Sequence, residues 1–76
     1  MIQRQARFSE TGRPEDMLRE RHIKLTPQRL AVYQAIRRAG LHLSADEVFR
    51  KVRPALPGIS LATVYAILEN FESHGL

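Results

Sequence analysis

The chain has 76 residues, room for one small domain, and no cysteine, so neither disulfides nor a thiolate metal site can brace it. Hydrophobic residues at 43% and charged ones at 26% exclude a disordered polyelectrolyte, and no apolar run approaches the roughly 20 residues that span a bilayer. The net charge of +4 is uneven: residues 1–43 hold nine Lys/Arg against four Asp/Glu, residues 44–76 three against four. A basic half favours a polyanion, nucleic acid before anionic membrane, although a surface kept soluble by excess charge accounts for the same balance.

The first residues, "MIQRQARFSETGR", are polar, aperiodic and arginine-bearing, without the apolar block of a secretory signal. They read as a flexible basic arm over residues 1–13, attached to one domain over residues 14–76. The expected setting is soluble and cytoplasmic, with no membrane partner.

A first short helix begins at Pro14, where "PEDMLRERH" puts acids first and bases last, as the helix dipole favours. Three more helices start with the same grammar. Thr26 caps before Pro27, with Leu25 stapled onto Leu30. Ser44 caps with Glu47 completing a capping box, and Leu43 staples onto Val48. Ser60 caps, and Ile59 staples onto Val64. Gly40, Pro54 and Gly75 mark the stops.

A period of about 3.6 residues defines the faces. The third helix sets Ala45, Val48, Phe49 and Val52 against Asp46, Glu47, Arg50 and Lys51. The fourth buries Leu61, Val64, Ile67, Leu68 and Phe71. The second is apolar over a wider arc, Leu30, Val32, Tyr33, Ile36 and Ala39, the pattern of a central helix touched from two sides. No segment has the period of a strand, so the chain is expected to be all-α with three to four helices.

Short helices joined by tight links, the last link "RPALPG" stiffened by two prolines, form a helix-turn-helix arrangement. The far side of the fourth helix carries Ala62, Thr63, Ala66 and Asn70, with Tyr65 at the rim and no lysine or arginine. A helix that enters a major groove needs such short side chains, and methyl groups and aromatic edges meet thymine methyls. Equally, alanine is the best helix former and the face is simply solvated.

The blocks "LTPQRLAVYQAI", "HLSADEVF" and "PGISLATVY", in register over about residues 14–76, closely resemble the DNA-binding half of the ferric uptake regulator superfamily of metal- or peroxide-responsive repressors. The resemblance implies a winged helix-turn-helix, its wing hairpin largely or wholly missing after "ESHGL". It also implies a separate C-terminal dimerisation and metal domain that this chain lacks. The partner it implies is double-stranded DNA, an A·T-rich palindromic operator bound by a homodimer of the full-length protein.

By the same resemblance Tyr65 meets bases, and Ser60 and Thr63 sit near phosphates. Lys24 reaches toward the minor groove, and Arg29 matches a phosphate-contacting position. Spacing leaves Arg29 two other roles, lying along Val32, Tyr33 and Ile36 or pairing with Glu15 or Asp16. One departure stands out: many relatives place a basic residue directly after the tyrosine, where this chain has Ala66. Ala62, Thr63, Tyr65 and Ala66 then read bases by apolar contact, or other groups supply the specificity.

His42 matches a ligand that this domain donates to a regulatory iron, manganese or zinc site in the full-length protein. Without the remaining ligands no cofactor is expected on this fragment. As a lone loop histidine it is equally a cap or a solvated ring. His22 and His74 are too dispersed to complete a site by spacing. The alternative to DNA reading is a protein-interaction module, since the alanine-rich face can pack on a helix. An enzyme is not expected, because no nucleophile–base pair, glycine-rich phosphate loop or paired-acid motif is present.

Overall fold

The computed structural model describes residues 13–39 and 43–76. They form four helices: α1 over Pro14–Glu20, α2 over Pro27–Arg38, α3 over Ala45–Val52 and α4 over Leu61–Ser73. No strand occurs among the described residues. The basic arm, apart from Arg13, and the Gly40 stop lie outside them.

The helix starts follow from side chains that satisfy otherwise orphaned backbone donors. The Arg29 N–H donates to Thr26 Oγ1 at 3.1 Å. The Glu47 N–H donates to Ser44 Oγ at 3.2 Å while the Ser44 N–H donates back to Glu47 Oε1 at 2.8 Å, closing the predicted capping box. The Thr63 N–H donates to Ser60 Oγ at 3.1 Å. Each such cap contributes about 1 kcal/mol to its helix. Helix α1 has no side-chain cap at Arg13 and relies on Pro14, Glu15 and Asp16 in its first turn.

Two helices end alike. After α4, the Gly75 N–H donates to the Glu72 carbonyl at 3.1 Å and the Leu76 N–H to the Phe71 carbonyl at 2.9 Å, a Schellman motif with Gly75 at φ 81°. After α1, the His22 N–H donates to the Arg19 carbonyl at 3.0 Å and the Ile23 N–H to the Leu18 carbonyl at 2.9 Å. The left-handed position there is held by His22 at φ 61°, not by glycine. Ile23 then enters the core beside Leu18, the apolar contact that accompanies this motif.

Helix α3 runs on for one more turn instead of stopping sharply. Arg53 keeps helical angles before Pro54, and the Leu56 N–H donates to the Val52 carbonyl at 3.0 Å. Pro54 lacks an N–H, but its fixed φ is compatible with a helical turn, so the proline removes one bond without redirecting the chain.

The core takes one fully buried side chain from each helix: Leu18, Val32, Val48 and Val64. Tyr33 and Phe71 meet edge-to-face at 6.1 Å and 89°. Helix α2 packs on α1, α3 and α4, which explains its wide apolar arc. The leucine and isoleucine ahead of each cap (Leu25, Leu43, Ile59) join the same cluster as their partners Leu30, Val48 and Val64. Leu61 and Leu68 are half-buried where full burial is expected from spacing. They flank the stripe of Val64, Ile67 and Phe71, which is narrower than the apolar content of α4 suggests.

Candidate nucleic-acid interface

The exposed arc of α4 runs through Ala62, Tyr65, Ala66 and Glu69. At about 100° per residue, Ala62 and Ala66 lie near its centre, with Tyr65 on one rim. Tyr65 is 51% exposed, the sole large apolar side chain among the described residues that is left in water. Burying most of its ring against a partner would be worth about 2 kcal/mol.

Thr63 and Asn70 lie on the opposite rim, toward α2, and both are half-buried. The Thr63 hydroxyl shares a hydrogen bond of 2.9 Å with Ser60 Oγ. Asn70 Oδ1 is covered and has no partner among the described residues. Asn70 therefore leaves the exposed face to which spacing assigns it.

The loop into α2 and the first turn of that helix approach this rim. Lys24, Arg29, Thr63 and Ala66, four of the seven positions expected at a DNA surface, line one open groove together with Thr26, Gln28 and Ile67. Lys24 is exposed and Arg29 half-buried. Arg29 Nη1 donates to the Lys24 carbonyl at 3.0 Å. That bond pins the loop carrying Lys24, and the ion pairs with Glu15 or Asp16 do not form; Asp16 pairs with Arg19 at 3.5 Å. Ser60 stands at the start of α4, while Ala62 and Tyr65 lie outside the groove on the open face. The sequence marks Thr26 as a cap only and gives Gln28 no role, although "TPQR" places both beside Arg29. Their position becomes evident only once α2 and α4 are seen to meet.

Charge around the face is asymmetric. Helix α4 carries only Glu69 and Glu72, both exposed, and no base. Lys24 and Arg29 share a groove with its residues Thr63, Ala66 and Ile67. Arg37, Arg38, Arg50, Lys51 and Arg53 stand at the C-terminal ends of α2 and α3, where they complement the helix dipoles. Two of them also cover rings: Arg37 lies 5.8 Å from the Tyr33 centroid and Arg53 5.7 Å from that of Phe49.

A short-chained helix face with an exposed tyrosine thus stands on a helix-turn-helix, with two cations on one rim. The ferric uptake regulator family model matches residues 20–76. The chain belongs to the ferric uptake regulator family.

Two similar proteins are both described as a peroxide-responsive repressor PerR. The one from Staphylococcus aureus strain Mu50 is 37% identical over 59 residues, covering 78% of this chain and 40% of that protein. The one from strain USA300 is 36% identical over 59 residues, with the same coverage. The chain thus spans about 40% of the length of these relatives. No solved structure matches it. Within the family, the four helices correspond to the helical part of a winged helix-turn-helix.

His42 lies outside the described residues. His22 is occupied with ending α1, and His74 Nδ1 lies 2.8 Å from the Asn70 carbonyl. Among the described residues no group of three or more His, Asp or Glu is placed to hold a metal ion. No helix among them is long and apolar enough to cross a membrane.

Proposed function

We propose that the chain is the DNA-binding domain, residues 14–76 with a basic arm over 1–13, of a metal- or peroxide-responsive transcriptional repressor. It reads the major groove with α4 and its caps, residues 60–74. The observation that carries this is the exposed, short-chained face of Ala62, Tyr65 and Ala66, which carries one acid, Glu69, and is flanked by the groove of Lys24 and Arg29. Short side chains at Ala62 and Ala66 let the helix backbone approach base edges, and Tyr65 supplies an aromatic contact. Ser60, Thr63, Lys24 and Arg29 stand where phosphates line the groove wall, and backbone N–H groups at the start of α4 favour the same anions.

With no base on α4, specificity rests on apolar contact, which suits an A·T-rich palindrome read by two copies. His42 is one ligand of an iron, manganese or zinc site. A single histidine cannot complete a coordination sphere, so the other ligands come from beyond this chain. The metal would then join this domain to a dimerising one and set the spacing of two reading heads, without entering the DNA contact itself.

The test is a fluorescence-anisotropy titration with an A·T-rich palindromic duplex and a scrambled control at two salt concentrations. Preference for the palindrome, weakened by salt and lost in Tyr65→Ala, is the expected outcome. Tyr65 is exposed and contributes little to the core, so the loss would not reflect unfolding. Binding that ignores salt would sink the assignment. The acids Glu69 and Glu72 on an otherwise uncharged helix favour a second reading, a protein-interaction module. That reading predicts no binding to either duplex at low salt.

A further inference from the structure

Helix α2 brings to the rim of α4 a residue that neither the resemblance nor the base-reading face accounts for. Gln28, the second residue of α2, is exposed and lines the groove with Lys24, Arg29, Thr63 and Ala66. Its side-chain amide makes no hydrogen bond with any described residue. Other polar groups there are partly engaged. The Thr26 hydroxyl accepts from the Arg29 N–H, the Thr63 hydroxyl shares a bond with Ser60, and one Arg29 nitrogen serves the Lys24 carbonyl. What remains for a ligand is the Lys24 ammonium, the rest of the Arg29 guanidinium, the Thr26 O–H and the Gln28 amide. No acid lines the groove. The chemistry that fits is an anion carrying several acceptor oxygens.

We propose that Gln28 is a positioning residue for DNA, donating its side-chain N–H to a backbone phosphate seated in the groove between α2 and α4. This rests on the DNA-reading assignment above. With Ala62 and Ala66 facing base edges, the flank of α4 at Thr63 faces the wall of the major groove, which is sugar and phosphate. Gln28 therefore fixes the register of α4 and does not select a base.

The experiment titrates the chain and its Gln28→Ala, Gln28→Glu and Gln28→Lys variants with the A·T-rich palindromic duplex and the scrambled duplex over a range of salt. Gln28 is an exposed helical position and all three replacements are good helix formers, so thermal unfolding should barely move. Gln28→Ala is expected to weaken binding to both duplexes about fivefold, the worth of one solvated hydrogen bond, with an unchanged salt slope because a neutral group releases no counterion. Gln28→Glu weakens it further. Gln28→Lys restores affinity and steepens the salt slope by about one, which a purely structural role would not do. Wild-type affinity in both Gln28→Ala and Gln28→Glu overturns the proposal, as does a loss confined to the palindrome, which would make Gln28 a base reader. If the unsubstituted chain binds neither duplex, the DNA assignment itself has failed; if it binds and the variants are silent, only the role of Gln28 has.

Discussion

His22 holds a conformation that costs most residues about 1–2 kcal/mol, because a left-handed φ brings Cβ against the following carbonyl. It is tolerated because two backbone hydrogen bonds close around it and Ile23 is buried next to Leu18. His22 itself is exposed, so its side chain contributes little packing to offset the strain. His22→Gly is expected to stabilise the fold by about 0.5–1 kcal/mol, the relief of strain less the greater unfolded-state freedom of glycine. Denaturant unfolding measures this directly, and a destabilised variant would mean that the imidazole makes a contact worth more than the strain.

At the scale of the element, the start of α3 is set by a reciprocal pair. The Ser44 backbone N–H, and then its hydroxyl, hold the Glu47 carboxyl below its ordinary pKa of 4.5, with smaller help from Arg50 and Lys51. A carboxylate with a lowered folded-state pKa adds stability that is fully present above its unfolded pKa. That stability is lost as pH falls through the folded value. The melting temperature should therefore drop as pH is taken below 4.5. Glu47→Gln, which keeps a side-chain acceptor without the charge, should be less stable at neutral pH and lose less on acidification. Parallel pH profiles for the two proteins would contradict this account of the cap.

Over the whole molecule, stability is concentrated in few side chains. Leu18, Val32, Val48 and Val64 are fully buried, one per helix, and α2 is the element that all the others touch. Leu18→Ala should cost about 2–4 kcal/mol, mostly from the cavity left under α1. A core of this size rarely supplies more than about 3–5 kcal/mol, so that variant should lose most of its stability and melt at a much lower temperature by circular dichroism. A cooperative transition close to that of the unsubstituted chain would show that α1 is dispensable. Because α1 and α2 also carry the loop with Lys24, loss of α1 packing should weaken DNA binding without touching α4.

The sequence by itself determined where α2, α3 and α4 begin, where α4 ends, and the main apolar stripe of each. Caps, staples and the 3.6-residue period act within about four residues, so Thr26, Ser44, Ser60 and Gly75 carry their meaning locally. The family likewise was legible, because its motifs are short and contiguous. His22 was not, since histidine tolerates a left-handed position more often than most residues but far less often than glycine. How the candidate contact residues sit relative to one another was decided only by the tertiary structure. Whether Thr63 and Asn70 face solvent or α2, whether Arg29 meets an acid or the Lys24 carbonyl, and whether Gln28 stands beside Ala66 all depend on how α2 crosses α4. That crossing is fixed by packing among Val32, Tyr33, Ile67 and Phe71, residues far apart in the chain that meet only when the core closes.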